Sequence, residues 1–509
     1  MRQRWTWAAL ALNSLLIGIS WSACVTLEVV TEPAPAPALV APAPAPAPVT
    51  AAPVTAAPVT PDTSSPAAPV TTPVASTLPS PLAGATTQQL GPVRLESLAQ
   101  YNPIPQGAQT TLNLLVRLGA EGQPSTERPN LDLAIVLDRS GSMAGAKLQD
   151  AKQAGLELIK RLTPQDKVTL ITYDDSVMVN TARLAVDAAG YDTLRSALLA
   201  VTEGGSTALG PALMKSLDLL EPANRPEKDI AHVVLLSDGL ANVGEQRPDV
   251  LGLRAAQGFS RGVSVSTLGV GLDYNEDLMT RLADQGGGRY HFIKDSAAVT
   301  SVLSEELAGL SSTVSREIVL TLTPSPAVTG VTAFGYPSEV KDGVTHVRVG
   351  SLRAGQSQEL VLRLQVAATQ AGPLSLGSLG LSYKNVPAGG VLVTGQQAVA
   401  VNVSADDAQV RAAERTEVTV RVAEVEAAEL LDQAARQVEQ RNYDNARQLL
   451  NTNIEQIRSK ARATNSKKLE EQANELERTL KDVDMAEQDE KSQKSFTKSQ
   501  KARSYQMKK

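Results

Sequence analysis

Apolar and polar residues follow several distinct rhythms along this chain of 509 residues. Leu133–Leu137, Ala231–Leu236 and Val263–Val270 are apolar runs without period-two alternation, the pattern of parallel strands buried on both faces. Helical spacing occupies the gaps, as in Lys147–Arg161, where Leu148, Ala151, Leu156, Leu158 and Ile159 share a face, and in Ala212–Leu220. Strand alternating with helix predicts an α/β fold with a doubly wound, mostly parallel, Rossmann-like sheet over 129–310. The rhythm then changes. Between Glu317 and Val403 the segments EIVLTLTP, THVRVGSL, QELVLRLQV, LGLSYKN and VAVNVS alternate apolar with polar between Gly, Pro and Asn turns. These predict an additional β-sandwich over 311–404. A β segment at 93–128, with strand-like Thr110–Leu118, completes that sandwich if the α/β domain is inserted into it; the later strands also fit an independent domain of roughly 90 residues. From 405 to 485 the chain lacks Pro and Gly, and Glu424–Gln440, Asp444–Ala463 and Lys468–Val483 predict a helical hairpin module.

The candidate chemistry lies where the first buried strand stops, in LDLAIVLDRSGS, Leu131–Ser142. Asp138 ends the strand, Gly141 lets the chain turn, and Ser140 and Ser142 bring two hydroxyls close to the carboxylate. Ligands of open α/β sheets bind beyond the carboxyl ends of strands. Hard oxygen donors match Mg²⁺, or equally Mn²⁺ or Ca²⁺.

Asp-x-Ser-x-Ser resembles the motif of the metal-ion-dependent adhesion site of von Willebrand factor type A domains. That family takes a Thr from a later loop, for which Thr207 of Gly204-Gly205-Ser206-Thr207 fits, with Ser206 as fallback. It takes a last acidic residue after a further strand, where AHVVLLSDG supplies Asp238. The resemblance covers Pro129–Leu310. It implies that Ser140, Ser142 and Thr207 hold the ion, that Asp138 and Asp238 act directly or through water, and that a partner's Asp or Glu carboxylate fills an open position. Arg139 is expected to point away from the ion, and Asp174 and Asp175, after the predicted strand Lys167–Tyr173, read as an ordinary turn. The helical segment resembles the module that follows such domains in some bacterial and plant proteins.

Composition narrows the function. A net charge of −6 and 3% aromatic residues argue against nucleic acid as partner. The single cysteine excludes a disulfide framework. His232, His291 and His346 have no metal-binding spacing, and the first two read as packed or surface residues. No Gly-x-Ser-x-Gly or phosphate-loop motif is present, so the expectation is a binding protein and not an enzyme.

Residues 1–23 read as a signal peptide: Arg2 and Arg4, the apolar stretch Trp7–Ile19, then Ser22-Ala23. The segment WSAC resembles a bacterial lipobox ending in Cys24, although Trp21 stands where an aliphatic residue is usual; a plain secretory cut would leave Cys24 a free thiol. Val25 follows, not the Asp associated with inner-membrane retention, so the resemblance points to the outer membrane, on its periplasmic or cell-surface side. Residues 24–92 read as a Pro/Ala-rich disordered stalk, of which the roughly sixty residues Glu32–Gly91 would reach on the order of 150–190 Å if mostly extended. Residues 486–509, with no acid after Glu490 and seven Lys or Arg beyond it, read as a solvated disordered tail. The expectation is an exported, lipid-anchored protein binding a protein or surface ligand through its metal. The alternative is an envelope assembly or scaffold protein that works through its helical module, the metal site being secondary.

Overall fold

The computed structural model describes residues 80–121, 128–221 and 225–509; the expected signal peptide, Cys24 and most of the span expected to be a stalk lie outside the described residues. The described chain opens with β1 (Thr86–Leu90), β2 (Val93–Ala99), β3 (Ile104–Pro105) and β4 (Gly107–Ala120). An α/β domain follows: β5 (Leu131–Asp138), α1 (Ala146–Lys160), β6 (Lys167–Tyr173), β7 (Val177–Ala185), α2 (Ala188–Leu199), α3 (Leu209–Leu220), β8 (Ile230–Ser237), α4 (Pro248–Ser260), β9 (Val263–Val270), α5 (Glu276–Gln285), β10 (Gly287–Ile293) and α6 (Val299–Ser311).

Its sheet runs β10-β9-β8-β5-β6-β7, parallel except for the antiparallel edge strand β7. Every residue of β5 is buried. Leu131, Leu133, Ile135 and Leu137 face a core shared with α1, α2 and α6, while Ala134 and Val136 face one shared with α3, α4 and α5. Two covered faces explain the unbroken apolar runs, and the expected doubly wound α/β fold is observed. β5 lies between β6 and β8, so the chain reverses its direction of winding there, and in such sheets ligands bind beyond the carboxyl ends of the strands at that point.

The remaining strands are β11 (Thr313–Pro324), β12 (Val328–Ala333), β13 (Ser338–Lys341), β14 (Val344–Arg353), β15 (Ser357–Ala368), β16 (Gly372–Asn385) and β17 (Val391–Ser404). They form two sheets, β1-β2-β4-β15-β12 and β13-β14-β11-β16-β17-β3. β4 pairs antiparallel with β15, from Gly119↔Ser357 to Thr110↔Val366. Leu112, Leu114, Val116 and Leu118 of β4 share one core with Ile318, Leu320 and Leu322 of β11. The α/β domain is thus inserted between the fourth and fifth strands of a β-sandwich.

Helices α7 (Asp407–Ala412), α8 (Thr416–Glu439), α9 (Tyr443–Thr464), α10 (Lys467–Ala486) and α11 (Glu490–Lys508) end the chain. Val418, Val422 and Val425 of α8 pack on Leu98, Leu115 and Val361 of the sandwich.

Two expectations need correction. Folded structure begins inside the span assigned to the stalk: Leu82 is buried and β1 pairs with β2, because the proline run has ended and TTQQL can enter a ladder. The basic tail is helix α11, not a disordered segment. Phe496 is buried in the helical core, and the lysines find acids remote in sequence: Lys501 pairs with Glu439 at 2.8 Å and Lys494 with Asp273 at 2.9 Å. Buried Lys498 donates to the Tyr274 carbonyl at 2.8 Å and lies 4.0 Å above the Tyr274 ring.

Candidate metal centre

Three loops converge beyond β5 and β8. Asp138 is fully buried; its Oδ1 accepts the Ser140 backbone N–H at 2.8 Å and its Oδ2 the Ser237 hydroxyl at 2.7 Å. Both carboxylate oxygens are therefore fixed in place. Burial raises the Asp138 carboxyl above its ordinary value; the hydrogen bonds from Ser140 and Ser237 work against that rise, and nearby Asp238 adds to it. Asp238, also fully buried, accepts the Ser142 hydroxyl at 2.7 Å on Oδ1. The hydroxyls of Ser140 and Ser142 are 3.2 Å apart.

Thr207 enters from the loop before α3, where its N–H donates to Asn242 Oδ1 at 2.7 Å. The glycines ahead of it allow a close approach: a Cβ on Gly204 would meet Asp174 Oδ2 at 2.1 Å, and one on Gly205 would meet Asp175 Oδ2 at 2.0 Å. Asp175 also accepts the Ser206 N–H at 2.8 Å, so Asp174 and Asp175 seat this loop and do more than form a turn. Arg139 turns away from the cluster to Asp174, at 2.5 Å.

Gly239 shows how the pieces meet. A Cβ there would lie 3.2 Å from both Ser142 Oγ and Thr207 Oγ1 and 3.9 Å from Ser140 Oγ, so three hydroxyls surround a place kept clear of any side chain. Asp138, Ser140, Ser142, Thr207 and Asp238 are brought together as the sequence pattern anticipated. Among the described residues no group of three or more His, Cys, Asp or Glu could hold a metal ion, so a cation here would need neutral oxygens beside the two carboxylates. Two carboxylates with three hydroxyls suit a hard cation such as Mg²⁺. A cleft of about 640 Å³ lies elsewhere, bordered by α5, α8 and α11, and none of these five residues lines it.

Residues 132–305 match the family model of the von Willebrand factor type A domain. This domain has the type A fold. Among curated proteins, inter-alpha-trypsin inhibitor heavy chain H4 of Homo sapiens is 27% identical over 257 residues, covering 48% of this chain and 26% of that protein. Protein YfbK of Escherichia coli strain K12 is 28% identical over 290 residues, covering 55% of this chain and 49% of that one. The chain thus spans about a quarter and about half of these relatives. A solved von Willebrand factor type A protein from Catenulispora acidiphila superposes with a TM-score of 0.61 at 18% identity, covering 78% of this chain and 91% of that one. The ArnB paralog VWA2 from Sulfolobus acidocaldarius gives 0.54 at 16% identity, covering 81% and 98%. Both superpositions extend well beyond the type A domain, so the shared fold includes neighbouring modules.

Sequence reasoning missed two side chains of the cluster. Ser237 looks like a strand residue, yet it holds Asp138. Lys147 looks like the polar side of a helix, yet its Nζ lies 2.5 Å from Asp238 Oδ2. Two of the three histidines serve elsewhere in the type A domain. His232 and His291 flank buried Glu306 at 3.5 and 3.3 Å. Burial works to raise that carboxyl, but hydrogen bonds and charge from the two imidazoles outweigh it and hold Glu306 well below the usual range.

Proposed function

We propose that the type A domain is a cation-dependent binding module. Ser140, Ser142 and Thr207 would hold Mg²⁺, or Mn²⁺ or Ca²⁺, with Asp138 and Asp238 acting directly or through water. When bound, the ion supplies a positive centre able to accept an Asp or Glu carboxylate from a protein partner. The chain's own residues set the terms. Three neutral hydroxyls leave most of the cation's charge unquenched, and the hydrogen bonds from Ser140 and Ser237 stop Asp138 from swinging. The observation that carries this reading is the convergence of hydroxyls from two loops around Gly239, with both carboxylates adjacent.

We further propose display of this module on the bacterial envelope, tethered through Cys24, which the signal-like and lipobox-like segments support. The proposed role is adhesion or protein interaction, without catalysis.

Isothermal titration calorimetry with Mg²⁺ and Mn²⁺ tests the core of the proposal. Wild type should give heats of binding that Asp138→Ala lacks. Gly239→Ala should lose them too with its circular dichroism unchanged, because the new methyl group enters the hydroxyl cradle. Equal heats in all three proteins would overturn the site.

A further inference from the structure

Lys147 is the second residue of α1, in a first turn that contains no acidic side chain. Unpaired N–H groups give a helix start partial positive charge, so a cation there is disfavoured by the helix itself. Yet the Lys147 ammonium is directed inward, 2.5 Å from Asp238 Oδ2 and 3.3 Å from the Ser142 carbonyl oxygen. Asp238 is fully buried, and its two oxygens divide their work: Oδ1 accepts from Ser142, while Oδ2 holds Lys147. One carboxylate thus joins the hydroxyl cradle to an internal cation.

We propose that Lys147 sets the affinity of the cation site, a role that rests on the binding reading above. Its ammonium neutralises Asp238 and leaves Asp138 as the one carboxylate of the cluster without a cationic partner of its own. A divalent ion entering the cradle meets the Lys147 charge held against Asp238. It must share Asp238 with Lys147 or displace it. The side chain is partly exposed, so it has room to withdraw. The site therefore binds cations more weakly than its carboxylates alone would dictate.

The test compares Mg²⁺ affinity by calorimetry, at fixed ionic strength, for the full chain as wild type, Lys147→Met and Lys147→Arg. Removing one unit charge at this range from a divalent ion, in a water-like dielectric, should tighten binding on the order of tenfold in Lys147→Met. Lys147→Arg keeps the charge and should stay within about twofold of wild type. A residue that merely braced the loop would instead loosen binding when truncated. Binding in Lys147→Met no tighter than wild type overturns the inference and leaves the cation site standing. Equal tightening in both variants also overturns it, since charge would not be the cause. Absence of Mg²⁺ binding in wild type overturns the cation reading itself, and this inference with it.

Discussion

Glu276 opens α5 beneath the C-terminal helix, and its titration should be visible in the stability of the type A domain. The side chain is only 5% exposed. Its Oε1 accepts the Tyr290 hydroxyl at 3.0 Å, and that hydroxyl lies 2.6 Å from the Tyr274 hydroxyl. Burial pushes the carboxyl up to about 7, although Lys498 and Lys501 and the Tyr290 hydrogen bond pull it down. In an unfolded chain the same group ionises near 4.3 (an approximate value). Between those two pH values the folded protein keeps a proton that the unfolded one has lost. Its contribution to stability is full below about pH 4.3 and is lost as pH rises through 7. About two and a half pH units, at about 1.4 kcal/mol each, amount to about 3.5 kcal/mol. Glu276→Gln keeps the shape and cannot ionise. It should come close to wild type at pH 4 and exceed it by up to about 3.5 kcal/mol at pH 8. The assay is hydrogen exchange of peptides from α5 and β10 at both pH values, corrected for the chemical exchange rate. Parallel pH dependence in the two proteins would refute the reasoning.

Two shorter predictions concern the ends of the chain. Phe496→Ala removes a buried ring from the helical core and should cost about 3–5 kcal/mol, making residues 490–509 sensitive to limited proteolysis; unchanged resistance would mean that α11 does not depend on this ring. Metabolic labelling with palmitate should mark wild type and not Cys24→Ser, and an unlabelled wild type would end the anchoring proposal.

The sequence showed the centre of the type A domain better than its borders, for physical reasons. A strand covered on both faces must be apolar throughout, so β5, β8 and β9 stand out, and the aspartates that end β5 and follow β8 stand out with them. The edge strand β7 is half-exposed and antiparallel, and its mixed pattern VMVNTARLA announces neither property. Lys147 and Ser237 occupy positions that a helix and a strand would fill anyway, so only tertiary contact reveals their link to the two aspartates. The C-terminal helix was hidden for a similar reason. Lys494, Lys498 and Lys501 look like a solvated run until Asp273, Tyr274 and Glu439 arrive from other elements. Long lysine stems cover apolar surface while their charged ends reach such partners.

The insertion of one domain into another also imposes an order in time. As the chain is synthesised, β1, β2 and β4 can pair with one another but emerge before the opposing sheet they must pack against, and β4 cannot pair with β15 until everything from Leu131 to Ser311 has appeared. Domains generally fold as units, the earlier ones first during synthesis. The type A domain contains its own sheet, one whole core and all of the other but Ala502 of α11, so it can close first and bring the ends of the split sandwich together. Until then Leu112, Leu114, Val116 and Leu118 lack the opposing sheet that buries them. A substitution that slows closure of the type A domain would prolong that exposure, and its penalty would be read as aggregation of a module it never touches.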